Sequence, residues 1–304
     1  MDDVVLVRGS ANGGDHLETA TNGQDALSVR RSPESIVIAV ADGCSSQPHS
    51  EVGAQIIVHM LTNFVEQAMR KRLPLRQPRV WKHICDKLLS RMQMIADDMA
   101  GDDQVLTYLN HFFQFTLVGM AMGPEDTVFF WRGDGNYSYN GKVFTIKPKA
   151  GNKPPYLVYN LTGAETTEAD SPLLDFQIAI VPTSEIKTFW VGTDGTNELL
   201  AAIGKVVNGM TATQIEDLSR DPRYRDNHSL LTRHLRMMVA GGLVRDDVAL
   251  IAGERLGFTP APVAEEEPVP PEASPAGKDP ATVEVAPGAG PNSTNPAPTD
   301  TNEG

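Results

Sequence analysis

The sequence has little cysteine and no long apolar run. Its 304 residues include two cysteines, Cys44 and Cys85, and no Cys-x-x-Cys pair, so neither a disulfide framework nor a thiolate zinc site is expected. No stretch of about 18 apolar residues occurs, and the first residues, MDDVVLVRGS, lack the basic and apolar regions of a signal peptide. We therefore expect a cytoplasmic protein without a membrane span.

Basic residues are also scarce, with 26 Lys and Arg against 39 Asp and Glu and a formal net charge of −13. This balance disfavours nucleic acid or an anionic membrane as a partner and is compatible with a bound metal cation. The Gly-Lys-Ser/Thr loop of nucleotide-binding proteins and the Gly-x-Ser-x-Gly motif of serine hydrolases are both absent. Their absence disfavours those two enzyme classes.

Residues 259–304 differ in composition from the rest of the chain. They contain 11 of the 22 prolines and eight acidic residues against one lysine, and such a segment buries too little surface to offset its ordering entropy. We predict one domain, residues 1–258, followed by a disordered acidic tail, residues 259–304. The tail is interpreted as a passive tether, with docking to a partner protein as the alternative.

Hydrophobic spacing places helices and strands in separate groups. Apolar residues recur at helical spacing between Pro48 and Arg72 and again over residues 80–99, which predicts two long paired helices. Residues 35–41 are typical of a buried strand, and residues 112–146, interrupted by Gly-Pro, Gly-Asp-Gly and Asn-Gly, predict an antiparallel meander. Because the two kinds of element do not alternate along the chain, the predicted class is α+β, with antiparallel sheets covered by helices.

Aspartates stand at the ends of several apolar strands. Asp42 and Asp194 end strands and are each followed by a glycine, which is expected to permit a sharp turn, whereas Asp25 and the pair Asp246 and Asp247 precede strands. If these ends meet at one edge, two carboxylates about 5 Å apart repel by about 3 kcal/mol at an effective dielectric constant near 20. A divalent cation would offset that repulsion, and oxygen ligands favour Mg²⁺ or Mn²⁺. Because a pair of such ions activates water near neutral pH, the pattern points to hydrolysis of a phosphate ester.

Several segments of the chain resemble, in the right order, the metal-dependent serine/threonine protein phosphatases of type 2C. They are NGQDA, VADGCSSQPHSEVGA, FTLVGMAM followed by WRGDGNYSYNGK, VGTDGTNEL and RDDVALIA, within residues 10–252. The chain is most similar to the bacterial subgroup in which Gln-Asp replaces Glu-Asp and a histidine lies upstream, here in GGDHLETATNGQDA. The resemblance implies a four-layer sandwich of two antiparallel β-sheets flanked by helices, a dinuclear Mn²⁺ or Mg²⁺ centre between the sheets, and hydrolysis of a phosphorylated protein by metal-bound hydroxide.

The resemblance also assigns roles by position. Asp42 would bridge both ions, the Gly43 carbonyl would bind one of them, and Asp194 and Asp246 would complete the other. Asp25 would hold metal-bound water. Asp42 and Asp194 are therefore the central catalytic carboxylates of this hypothesis.

The sequence departs from the family pattern near the expected site. Gln24 replaces a carboxylate, which should weaken the second ion, and no arginine shortly precedes it to grip the substrate phosphate. His16 is the candidate for that substrate-binding role or for proton donation, since imidazole can do either near neutral pH. The acidic ligand of a third ion is missing before Thr116, where His111 stands instead, so the resemblance does not support a third ion.

Two further residues near the motifs are interpreted as structural. Cys44 is interpreted as a small residue packed at a turn, with a redox-sensitive thiol as the alternative. Asp134 in RGDGN resembles the family's Gly-Asp turn beneath the site, but a Gly-Asp-Gly hairpin needs no catalytic reason. The leading hypothesis is a cytoplasmic, metal-dependent protein serine/threonine phosphatase. Because Gln24 and the missing arginine would blunt the site, the alternative is a catalytically weak relative that binds phosphoproteins or scaffolds a partner. A phosphatase dedicated to one partner-switching substrate is a third hypothesis.

Overall fold

Two five-stranded antiparallel sheets form the centre of the structure, a computed structural model that describes residues 1–101, 104–147, 154–163, 175–207, 209–227 and 229–259. In spatial order, the first sheet contains β1 (Val4–Ala11), β12 (Val248–Arg255), β9 (Thr188–Gly192), β6 (Gly135–Tyr139) and β7 (Lys142–Ile146). The second contains β2 (Ala26–Arg31), β3 (Ile36–Gly43), β4 (Phe115–Met122), β5 (Asp126–Arg132) and β8 (Gln177–Pro182). A separate ribbon pairs β10 (Val206–Val207) with β11 (Met210–Thr211).

The two sheets pack face to face through one buried apolar layer. Val40, Val118 and Phe129 of the second sheet lie in the same cluster as Val191 and Ile251 of the first. Alternation along each strand directs every second side chain into this layer. The predicted sandwich of two antiparallel sheets is therefore confirmed.

Helices cover the outer face of each sheet. On the second sheet lie α2 (Ser50–Arg70), α3 (Pro78–Met99) and α4 (Val105–Phe112), and on the first lie α6 (Thr196–Ala202), α7 (Ile215–Arg220) and α9 (Leu230–Ala240). Ile57, Leu61 and Val65 follow the helical spacing predicted for α2 and are fully buried. Shorter helices are α1 (Gly14–Thr19), α5 (Tyr159–Thr162) and α8 (Pro222–Asp226). The order helix, sheet, sheet, helix confirms the four-layer α+β architecture.

Residues 112–146 do not form the single meander that their turn residues predict. β4 and β5 pair in the second sheet, whereas β6 and β7 pair in the first, so the chain crosses between sheets at Gly133 and Asp134. Gly133 has φ +97°, and a Cβ there would lie 2.7 Å from the Thr116 side chain, so only glycine fits this crossing. The crossing places Asp134 at the edge where the two sheets meet.

None of the helices in the described part of the chain is both long and apolar enough to cross a membrane. The predicted tail, residues 259–304, lies outside the described residues apart from Thr259. The tail and the domain boundary after residue 258 therefore stay predictions.

Candidate metal centre

Strand ends from both sheets meet at one edge of the sandwich. In the second sheet Asp25 immediately precedes β2 and Asp42 is the last residue but one of β3. In the first sheet Asp194 follows β9, and Asp246 and Asp247 precede β12. Burial raises the pKa of Asp42 well above its usual range, and the charges of Asp25 and Asp194 raise it further. Since these charges come from both sheets, the strand ends converge as the sequence predicts.

Asp25 and Asp194 respond to the same group of charges. Burial raises the pKa of Asp25 well above its usual range, a hydrogen bond from Thr193 opposes the shift, and the charges of Asp247 and Asp194 add to it. Burial also raises the pKa of Asp194, to about 7, with a further contribution from the charge of Asp246. Neighbouring carboxylates in a partly buried space cannot all ionise without a compensating positive charge.

Asp134 joins this group, although a structural turn is the interpretation favoured from the sequence. Burial raises the pKa of the Asp134 carboxyl, and the charge of Asp134 in turn raises the pKa of both Asp42 and Asp194. The sequence pattern misled because Gly133 and Gly135 suggest a hairpin, whereas they carry the chain from one sheet to the other. Asp246 lies at the exposed rim, where solvent screens its charge more strongly.

The donor atoms at this edge suit a hard divalent cation. Among the described residues, the buried oxygens Asp25 Oδ1, Asp134 Oδ1 and Gln24 Oε1 have no hydrogen-bond partner. An unpartnered buried oxygen is costly, and a cation would satisfy it. No three His, Cys, Asp or Glu side chains of the described residues stand close enough to form a complete ligand set. The edge therefore supplies oxygen donors of the right chemistry without a finished coordination shell.

The glycines after Asp42 and Asp194 serve close approach rather than a sharp turn. Neither Gly43 nor Gly195 has a positive φ, and Gly195 has φ −54°. A Cβ on Gly195 would lie 1.9 Å from the Asp247 carbonyl oxygen. The glycine thus allows the turn after β9 to contact the segment that precedes β12.

Thr193 was not singled out from the sequence, yet it connects the two sheets at the site. Its hydroxyl donates a 2.6 Å hydrogen bond to Asp25 Oδ2 and accepts one of 2.9 Å from the Ala249 N–H. Its carbonyl accepts a 2.6 Å hydrogen bond from Thr196 Oγ1, which in turn accepts from Asn136 Nδ2 at 2.9 Å. These bonds hold the turn that carries Asp194.

Glu198 supports the segment that carries Asp246. Its Oε2 accepts hydrogen bonds from the Arg245 N–H at 2.5 Å and the Asp246 N–H at 3.3 Å. Glu198 lies in the first turn of α6, so its position depends on the same turn as Asp194. Only the folded chain brings these residues together, since 47 positions separate Glu198 from Arg245.

His16 lies beside the carboxylates and is paired. Its Nδ1 is 2.8 Å from Asp247 Oδ1. Burial raises the pKa of Asp246, and the positive charge of His16 opposes that rise. Asp247 is 2 % exposed and was not assigned a role from the sequence. His111, by contrast, lies in the last turn of α4, where its carbonyl accepts a hydrogen bond from the His49 N–H.

Comparison with known proteins decides the family. The family described as Protein phosphatase 2C matches residues 12–237, which is more than half of the chain.

The chain belongs to the protein phosphatase 2C family.

The chain is similar to several solved structures at low sequence identity. A sex-determining protein from C. elegans aligns with a TM-score of 0.50 and 14 % identity, covering 84 % of this chain and 65 % of that one. A serine/threonine phosphatase from S. agalactiae aligns with a TM-score of 0.49 and 12 % identity over 83 % and 99 % of the two chains. A serine/threonine phosphatase from Mycobacterium tuberculosis aligns with a TM-score of 0.46 and 10 % identity over 83 % of this chain and 99 % of that one. No curated protein matches the chain significantly. Such low identities speak for the fold alone.

The predicted membership of the phosphatase 2C family is confirmed, while the subgroup with Gln-Asp in place of Glu-Asp stays a prediction.

The side-chain amide of Gln24 in this family member acts as a hydrogen-bond donor. Its Nε2 lies 2.9 Å from Ser50 Oγ and 3.3 Å from the Cys44 carbonyl oxygen. Gln24 therefore offers the site at most one neutral oxygen.

A cavity of about 820 Å³ lies at the end of the second sheet that is opposite to the carboxylate edge. Its lining includes Leu73, Arg76 and Asp126, and Arg76 Nε donates a 3.1 Å hydrogen bond to Asp126. The carboxylate edge, rather than this cavity, carries the groups that hydrolysis requires.

Proposed function

We propose that this chain is a metal-dependent protein serine/threonine phosphatase that hydrolyses phosphate monoesters at a dinuclear Mn²⁺ or Mg²⁺ centre. The observation that carries the proposal is the convergence of Asp25, Asp42, Asp134 and Asp194 at one edge, with the pKa of each carboxyl raised by burial and with mutual repulsion adding to several of these shifts. Family membership supports the same reaction class.

The proposal assigns the metal ligands as follows. Asp42 would hold both ions at the end of β3 and the Gly43 carbonyl one of them, while Asp194 and Asp246 would hold the other from the first sheet. Asp25 would hold a water molecule of the centre. When bound, the two cations supply a nucleophilic water near neutral pH and neutralise charge on the phosphoryl group.

The chain's own residues then have distinct tasks. Asp42 and Asp194, both at ends of strands with buried apolar side chains, hold their carboxylates on a rigid support. Thr193 orients Asp25 from the opposite sheet through its 2.6 Å hydrogen bond. His16 contributes a group that binds the substrate phosphate in place of the missing arginine. No covalent phosphoenzyme would be required, because water would attack phosphorus directly.

A catalytically weak phosphoprotein-binding or scaffold protein is the second candidate function. The observation that favours it is Gln24, whose amide donates to Ser50 Oγ where a ligating carboxylate is expected. A neutral side chain there removes one negative charge from the site of the second ion. In this case the chain would bind a phosphorylated partner without turning it over.

Measuring phosphate release from a phosphothreonine peptide in the presence of Mn²⁺ distinguishes the phosphatase hypothesis from the scaffold hypothesis. The phosphatase hypothesis predicts turnover by the wild type and loss to near background in Asp42→Asn and Asp194→Asn. Asp126→Asn, which changes an aspartate at the opposite end of the same sheet, should keep the wild-type rate. Equal rates in wild type, Asp42→Asn and Asp194→Asn would favour the scaffold.

The proposal keeps the cytoplasm as the compartment, a phosphorylated protein as the substrate, and the acidic tail as a passive tether with partner docking as the alternative. Cys44 and Cys85 are both free thiols, which suits a reducing compartment. Neither nucleic acid nor a membrane surface is proposed as a partner, because the chain carries a net charge of −13.

A further inference from the structure

The pair formed by His16 and Asp247 joins a partly exposed imidazole to a buried carboxylate. His16 Nδ1 lies 2.8 Å from Asp247 Oδ1, and the two side chains are 18 % and 3 % exposed. Nδ1 is therefore engaged on the protein side. Among the described residues the other ring nitrogen, Nε2, has no hydrogen-bond partner, which leaves it available to a substrate.

Asp247 is itself fixed by backbone groups from two segments. Its Oδ1 accepts a 2.7 Å hydrogen bond from the Gly13 N–H, and its Oδ2 accepts one from the Gln24 N–H. Gly13 precedes α1, which carries His16, and Gln24 precedes Asp25. A carboxylate with both oxygens occupied in this way is a rigid support for an imidazole.

Other contacts hold the helix that carries His16 by its backbone or at its exposed surface; the Asp15 N–H, for example, donates a 3.0 Å hydrogen bond to the Arg245 carbonyl oxygen. α1 has six residues, and its first turn has no side-chain cap. Arg245 ties the helix to the start of β12 by a contact to Asp15, but both side chains are more than half exposed, and such pairs contribute little. The buried Asp247 carboxylate is therefore the contact that sets the direction of the His16 ring.

We propose that Asp247 is a positioning residue for His16 and presents its Nε2 to an oxygen of the substrate phosphate. This inference rests on the proposed function. It adds the residue that fixes the orientation of His16, which takes the place of the missing arginine. The imidazolium donates from Nε2 to the phosphoryl oxygen while Asp247 balances its charge at Nδ1. Asp247 itself touches neither phosphate nor metal in this arrangement.

The first test needs no metal and no activity. Long-range ¹H–¹⁵N spectra of the metal-free protein, taken where imidazole is neutral, report which ring nitrogen carries the proton, and His16→Gln identifies the signal among the seven histidines. We expect the proton on Nδ1 in the wild type and a shift toward Nε2 in Asp247→Asn. A wild-type proton on Nε2, with Nδ1 bare, would overturn the pair, whether or not the protein is an active phosphatase.

The second test uses steady-state kinetics with Mn²⁺ and a phosphothreonine peptide. His16→Gln and Asp247→Asn should each raise KM about tenfold, as expected for loss of a charge-assisted hydrogen bond, and the double variant should be no worse than either single one. Mn²⁺ affinity should stay within about twofold of wild type in His16→Gln, and Asp15→Asn, which breaks the exposed contact on the same helix, should leave KM unchanged. Additive losses, or weaker Mn²⁺ binding with unchanged KM in Asp247→Asn, would contradict the proposal.

Discussion

Thr193 Oγ1 donates a 2.6 Å hydrogen bond to Asp25 Oδ2 and so joins the end of β9 in one sheet to the start of β2 in the other. The same hydroxyl accepts from the Ala249 N–H at 2.9 Å. One small side chain thus holds a carboxylate of the candidate centre and a backbone group of the neighbouring strand. The site depends on the relative placement of the two sheets as much as on its carboxylates.

Replacement of Thr193 by valine tests this connection. Thr193→Val removes the donor to Asp25 and leaves the Ala249 N–H unpaired, so we expect a loss of about 1 to 3 kcal/mol in the free energy of unfolding. Because the hydrogen bond lowers the pKa of Asp25, its loss disfavours the ionised carboxyl, and Mn²⁺ affinity should fall severalfold. Calorimetry and thermal melts measure both effects.

A matched control lies at the far end of the sandwich. Thr127 is fully buried on β5, and its hydroxyl is 2.9 Å from Thr183 Oγ1. Thr127→Val should lower stability as Thr193→Val does, while Mn²⁺ affinity stays unchanged. An equal loss of Mn²⁺ affinity in both variants would mean that Thr193 acts only through general stability.

The raised carboxyl pKa values predict how stability depends on pH without metal. The pKa of Asp194 rises from 3.8 to about 7 on folding, so between these values the folded state binds protons that the unfolded chain releases. Stability from this group is therefore present at low pH and is lost as the pH rises through about 7. The metal-free protein should melt several degrees lower at about pH 8 than at about pH 5.5.

Asp194→Asn isolates this contribution. Burial lowers the pKa of His234, which gives stability a pH dependence of the opposite sign. The informative quantity is therefore the difference in melting temperature between wild type and Asp194→Asn at each pH. The variant should show a flatter profile and a higher melting temperature at about pH 8, and saturating Mn²⁺ should remove much of the wild-type loss. A wild-type profile that matches the variant would show that the Asp194 carboxyl is not perturbed as described.

Gln24→Glu separates the structural role of this residue from its effect on metal. The new carboxylate would face the Cys44 and Gln47 carbonyl oxygens, which lie 3.3 and 3.4 Å from Nε2 in the wild type, so the metal-free variant should be less stable by about 1 to 3 kcal/mol. The added charge should nevertheless raise the affinity for the weaker Mn²⁺ ion severalfold. Gln24→Met, neutral and of similar size, should lose stability without that gain, and weaker Mn²⁺ binding in Gln24→Glu would refute the assignment of this position to the second ion.

The sequence allowed much of the fold to be predicted, because its signals are local. Apolar spacing in α2 and α3 and the apolar run that ends at Asp42 appear within single segments of the chain. Residues 112–146 show the limit: Gly133 and Gly135 mark a change of direction, but nothing local says that β6 leaves the sheet of β5.

The site divides in the same way. Asp25, Asp42, Asp194 and Asp246 stand out because each carboxyl follows or precedes an apolar strand. Thr193 and Glu198 do not stand out, since each acts through a partner far along the chain, such as Glu198 on Arg245. Asp247 is noticed only as the neighbour of Asp246, because its contact with Gly13 is also distant in sequence. For Asp134 the structural interpretation was favoured because a Gly-Asp-Gly turn has the same sequence whether it joins two neighbours or crosses between sheets.

Calorimetric titration of Mn²⁺ into the metal-free protein tests most directly whether the converging aspartates form a metal centre. The account predicts binding of two ions to the wild type, loss of that binding in Asp42→Asn, and unchanged binding in Asp126→Asn at the opposite end of the second sheet. Absence of binding to the wild type, or an Asp42→Asn titration identical to it, would contradict the account.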